Sequence, residues 1–154
     1  MNNFLTKLTT AAILSAAIAT PGIAASPQIK ARQALMQIYV FNISQLGAMA
    51  KGVVAYDSAA ATAAANNLKA AAAMDQSAMW PQGTDNEAMF GETRALPTIW
   101  STFPAVEEKG KALIDASAAM AAVAGADLPS LQGAMKALGG ACGGCHKTFR
   151  QPED

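Results

Sequence analysis

Apolar residues at helical spacing recur in four stretches of the chain. From Ile29 to Ala50, Leu35, Tyr39, Ile43, Leu46 and Met49 follow one another at intervals of three or four, the period of one helix face. Ile38, Val40 and Phe41 fall off that stripe and make this predicted helix the most apolar all round. A second helix is expected after Tyr56, with Asp57 or Ser58 as N-cap, an Ala-rich body carrying Leu68, and an end near Met74. Pro81, Gly83, Asp85, Asn86 and Gly91 interrupt any periodicity between Asp75 and Pro97, which reads as a long connection. A third helix is expected from about Thr98 to Ala124, with Ile99, Trp100, Phe103, Leu113 and Ile114 as apolar candidates. Pro104 allows either a later start or a kink there. Gly125 stops it, Asp127 caps a fourth helix with Pro129 in its first turn, and Leu131, Met135, Leu138, Cys142, Cys145 and Phe149 form that helix's stripe.

Strand-forming residues are sparse and never alternate over any length, whereas alanine is abundant throughout, so the fold class is all-α. Short connections within the first and last pairs and a long one between the pairs predict an antiparallel four-helix bundle, an architecture that places cofactors between facing helices.

Before the first helix, residues 1–25 read as a cleaved secretory signal peptide. Lys7 supplies the positive start, Ala11 to Ala19 the apolar run and Gly22-Ile23-Ala24-Ala25 the small residues at a cleavage site. The apolar run is shorter than the ~20 residues that span a bilayer. Residues 26–154 then form one domain, expected in the periplasm with no membrane span. Eleven basic residues less Lys7, set against eleven acidic ones, leave no basic excess for nucleic acid.

The chemistry is concentrated late in the chain. Cys142-Gly143-Gly144-Cys145-His146 is a C-x-x-C-H sequence, the attachment signature of haem c. On a helix, residues three and four apart share a face, so two thiols can add to the porphyrin vinyl groups while His146 turns its imidazole to the iron. A thioredoxin-like dithiol would need a strand-to-helix setting that an all-α chain lacks. A zinc site would need about four ligands, and the sequence holds two Cys and one His. Gly139, Gly140, Gly143 and Gly144 are poor helix residues, each costing ~1 kcal/mol relative to Ala. Their clustering suits a flat macrocycle lying against backbone.

A haem motif on the last helix of a bundle resembles the cytochrome c′ family, and Cys142 to Arg150, with an aromatic and then a base after the His, is the most specific match. Cytochromes c′ are themselves a standard example of such bundles. Ala31-Arg32-Gln33-Ala34-Leu35-Met36 is similar to the family's distal segment. The resemblance implies that Arg32 and Gln33 lie near the haem propionates, that Met36 covers the distal face, and that Glu92, Thr93 and Arg150 also line the haem. Leu46 to Gly52, Tyr56-Asp57, Gly91-Glu92-Thr93 and Ile99-Trp100 extend it over nearly the whole exported chain.

The expected function is one-electron transfer to and from redox partner proteins, with no enzymatic activity, since the single His is assigned to iron and no acid–base pair stands out. The alternative is a five-coordinate protein binding diatomic gases such as nitric oxide or carbon monoxide. Within the resemblance the spacing from Met36 to Gly52 is closer to low-spin relatives, so Met36 is expected as sixth ligand; Met/His ligation raises a haem's potential. The off-stripe Ile38, Val40 and Phe41, with the small alanines of the second helix, predict a homodimer through the first two helices.

Overall fold

The computed structural model describes residues 26–153; the signal peptide expected over 1–25 lies outside them. Five α-helices follow in order: α1 (Pro27–Ala50), α2 (Ser58–Ala72), the single turn α3 (Thr98–Ser101), α4 (Phe103–Val123) and α5 (Leu128–Phe149). Four long helices form a bundle in which α1 packs on α2, α2 on α4, α4 on α5 and α5 back on α1. The last of these seams is the loosest.

Three of the four long helices, α1, α2 and α5, begin where the sequence supplies a side-chain cap. Ser26, Asp57 and Asp127 accept from the backbone N–H of Ile29, Ala60 and Ser130, respectively. Pro27, Pro104 and Pro129 occupy first turns, where no N–H is missed. At the end of α1 the chain closes with Gly52 at φ +68°, while Gly52 and Val53 N–H donate to Met49 O and Ala48 O. That is a Schellman closure, which the Cβ of another residue would strain.

Two boundaries differ from the sequence reading. The second helix stops at Ala72, leaving Met74 exposed in the following turn. The expected third helix is two: at Thr102 the backbone turns to φ −124°, ψ 45°, and α4 restarts with Pro104 in its first turn. Pro104 therefore marks a start, because the restart leaves no earlier helical turn for its ring to clash with. Phe103 and Ile114, expected among the apolar contacts, are exposed.

The core follows the predicted stripes. Leu35, Tyr39, Leu46 and Met49 of α1 meet Ala61, Ala64, Ala65 and Leu68 of α2, Ala116 and Met120 of α4, and Leu131 and Leu138 of α5. Ile38, Val40 and Phe41 point outward, Phe41 being 66% exposed. Polar side chains at the α1–α2 seam are paired: Asn42 donates to Ile38 O at 2.8 Å and accepts from Asn67 at 3.1 Å. Near the start of α2 the approach to the α4–α5 turn is close enough that a Cβ on Gly125 would collide with Thr62 Oγ1, which already donates to Ser58 O. Nearby, Tyr56 OH donates to Ala124 O at 3.0 Å.

The long connection is held at both sides. A 3-10 turn over Ser77–Met79 rests on α1, and Ala95 pairs with Arg150 in an isolated antiparallel bridge. Ala95, Ile99 and Phe149 make a second small core with Trp80, Trp100, Val106 and Cys145 against it. No described helix is long and apolar enough to cross a membrane.

Candidate haem site

Cys142, Cys145 and His146 lie within the last two turns of α5, all half-buried. Both cysteines are unpaired thiols, and burial pushes each above the usual thiol range. Burial also lowers the basicity of His146, and the nearby guanidinium groups of Arg150 and then Arg94 lower it further. Each of these effects favours the neutral imidazole, the form that offers a nitrogen lone pair to a metal. No group of three or more His, Cys, Asp or Glu able to hold an ion by themselves occurs among the described residues.

The register between α1 and α5 fixes what faces this motif. Gln132 Nε2 donates to Ala50 O at 2.7 Å, and a methyl placed on Gly47 would lie 3.7 Å from Met135 Cε. Each step of three back along α1 is matched by a step of three forward along α5. Tyr39 follows the same progression. Burial is the main cause of its raised phenol pKa, Gln76 counters it, and Cys142 is close enough to raise it further. Continued by one more turn, the same progression would put Met36 at the level of Cys145 and His146. Met36 is half-buried and packed against the core.

One turn before Met36, Arg32 is only 3% exposed and forms no ion pair among the described residues. Its guanidinium donates to Met79 O at 3.3 Å, Thr84 Oγ1 at 2.8 Å, Thr93 Oγ1 at 3.0 Å and Thr84 O, and lies 4.7 Å from the centre of the Trp80 ring. Burial lowers its pKa while Asp85 opposes the shift. Trp80 is fixed in turn, since Trp100 Nε1 donates to Trp80 O at 2.9 Å. Gln33 donates to Glu92 O at 2.8 Å. Arg32, Gln33, Glu92 and Thr93, singled out separately in the sequence, therefore meet in one cluster that pins the long connection to α1. Glu92 joins it through its backbone. The partners Thr84, Trp80 and Met79 were missed, and two of the contacts are to carbonyls, which carry no side-chain signature. Arg150 sits apart on the other side of the motif, exposed, as the C-cap of α5.

The donor chemistry and the space around it fit a haem. Two thiols three residues apart and a neutral imidazole share the end of one helix. A Cβ added at Gly139, Gly140 or Gly143 would meet nothing within 4 Å, so this part of α5 has bare backbone with room beside it. Gly140 and Gly144 also open onto a groove of about 480 Å3 along α4, lined by Ala116, Ala119 and Ala137.

Residues 27–150 match the family model described as Cytochrome C'. The chain belongs to the cytochrome c′ family. That family binds haem c covalently, and this chain's two cysteines stand in its C-x-x-C-H sequence. Cytochrome c-554 of Cereibacter sphaeroides is 41% identical over 126 residues, 81% of each chain. A solved cytochrome c′ from Rhodobacter superposes with a TM-score of 0.81 at 34% identity, covering 84% of this chain and 99% of that one. A ferrous variant of cytochrome c prime from Alcaligenes xylosoxidans, described with bound NO, has a TM-score of 0.71 at 28% identity, covering 82% and 94%. Both solved structures superpose on the bundle described above.

Proposed function

We propose that this protein is a periplasmic one-electron carrier, exported by removal of residues 1–25, whose haem c is attached through Cys142 and Cys145 with His146 as proximal and Met36 as distal ligand. The observation that supports this reading is the α1–α5 register: seen at Ala50–Gln132, Gly47–Met135 and Tyr39–Cys142, it would, one turn further on, set Met36 opposite His146. When bound, the haem supplies one-electron exchange between ferric and ferrous iron.

The chain's own residues prepare for that exchange. Thioethers formed from both cysteines fix the group to α5, so it is not lost when the iron changes charge. The neutral form of His146 is favoured by burial and by Arg150 and Arg94. Met36 and His146 lie on rigid helices whose spacing is set by the contacts of Gly47 and Ala50, so little has to move when an electron arrives. Arg32 adds a buried positive charge one turn from Met36, which favours the reduced state of a nearby iron. Thr93, Gln33 and Glu92 hold the connection against that end of α1.

A second reading is favoured by the NO-bound relative: a family member whose distal thioether stays unbound can take a diatomic gas. The ferric spectrum of the wild type beside Met36→Ala separates the two. A low-spin wild type that becomes high-spin, and then binds carbon monoxide when reduced, is expected. A high-spin wild type that Met36→Ala leaves unchanged would transfer the assignment to gas binding. The outward row of Ile38, Val40 and Phe41 on α1 supports a homodimer through α1 and α2; a monomer in sedimentation at micromolar concentration is the contrary result.

A further inference from the structure

The described residues after α5, 150–153, do not trail away from the bundle. Leu96 N–H donates to Phe149 O at 3.0 Å and Gln151 N–H to Arg94 O at 2.8 Å, on either side of the Ala95–Arg150 bridge. Arg94 closes the arrangement from its side chain: Nε and Nη2 both donate to Gln151 O, at 2.9 and 2.7 Å, and Nη1 pairs with Glu153. Asn86 adds a bond to Gln151 Oε1 at 3.0 Å and is itself tied to Ala95 O. Arg150 is thereby fixed in extended conformation one turn beyond His146, its N–H still donating to His146 O.

An exposed ion pair such as Arg94–Glu153 contributes little stability by itself. Its place is more informative than its strength. The fork on Gln151 O lies one residue from Arg150, and among the described residues Asn86 is the other side chain of the 75–97 connection that hydrogen-bonds to that segment. Both arginines are close enough to act electrostatically on the His146 imidazole.

We propose that Arg94 is a positioning residue of the iron's proximal side: by tying the segment after α5 to the long connection, it holds Arg150 beside His146. The inference rests on His146 being the proximal ligand. A guanidinium fork on one carbonyl is something Lys cannot reproduce although Lys keeps the charge. Arg94→Lys therefore separates positioning from charge.

The experiment is a redox titration of the holoprotein for wild type, Arg94→Lys, Arg150→Gln and the double variant, with far-UV circular dichroism confirming the fold. Arg94→Lys is expected to shift the ferric/ferrous ratio at fixed potential about twofold to threefold toward ferric, where tenfold corresponds to ~59 mV for one electron. Arg150→Gln is expected to shift it in the same direction, and adding Arg94→Lys to Arg150→Gln to cause no further shift. An unchanged midpoint in Arg94→Lys, or its full shift persisting once Arg150 is Gln, overturns the proposal. The haem spectrum of His146→Ala tests the underlying reading separately. If it equals the wild type, the proximal assignment falls; if it changes while the arginine series does not respond as stated, only the positioning role falls.

Discussion

The α2–α4 and α1–α5 seams lie on opposite sides of one bundle and are packed by opposite means. Between α2 and α4 the contact is made by Ala61, Ala64, Ala65, Ala116 and Ala124, small side chains that let the helices approach closely, and a Cβ on Gly125 would already collide. Between α1 and α5 the side chains are the longer Leu35, Met36, Tyr39, Met135 and Leu138, while the glycines of α5 open to solvent and, at Gly140 and Gly144, onto the groove along α4. One seam is complete with protein atoms alone. The other is built from long, adaptable side chains and is the looser of the two, so it can rearrange around a planar group. Stability and function are therefore divided between the two sides.

Removing the haem attachment should break this contrast most sharply. In Cys142→Ser/Cys145→Ser, amide hydrogen exchange is expected to speed up at least about tenfold in α1 and the second half of α5, while α2 and α4 keep most of their protection; local opening free energies differ across a fold in this way. A uniform rise over all four helices would show that the seams are not independent.

Filling the tight seam should have the next largest effect. Ala65→Leu puts three extra carbons into a site that is fully buried, and overpacking of this kind costs about 1–3 kcal/mol. Thermal or denaturant unfolding of the holoprotein measures the loss, and the haem spectrum should stay that of the wild type. A changed spin state would mean that α2–α4 packing controls the iron's ligands after all.

The difference between the seams also explains what could be read from the sequence. The stripe from Leu131 to Phe149, the caps Asp57 and Asp127 and the C-x-x-C-H motif are local patterns, and the structure keeps them in place. The restart at Thr102–Phe103 was ambiguous, because a proline in a first turn and a proline at a kink look the same along a chain. The surroundings of Arg32 were not legible, since the resemblance pointed only to haem propionates. Its partners are the carbonyls of Met79 and Thr84, two hydroxyls and the face of Trp80, and no spacing rule joins position 32 to positions 79–93. The Arg94 contacts were invisible for the same reason, since two of the three go to the Gln151 carbonyl.

The smallest effect is expected at the start of α5, the end of that helix farthest from Cys142. The Asp127 carboxylate accepts from Ser130 N–H at 2.7 Å, and hydrogen bonding to Ser130 lowers its pKa, only weakly opposed by desolvation. A carboxyl whose folded pKa lies below its unfolded value, ~3.9 for Asp, stabilises the fold above that unfolded value. This contribution is lost as pH falls through the folded pKa. Asn caps a helix about as well as Asp but does not titrate. Melting temperature followed from pH 7 down to pH 2 should thus fall less steeply for Asp127→Asn than for the wild type, with the two separating only on the acid side. Because Asp127 caps a helix start beside the tightly packed α2–α4 end, its protonation should leave the haem spectrum unaltered at pH values where the fold persists. Identical acid limbs would place the acid sensitivity elsewhere, and a spectral change tracking Asp127 would couple the far end of α5 to the iron.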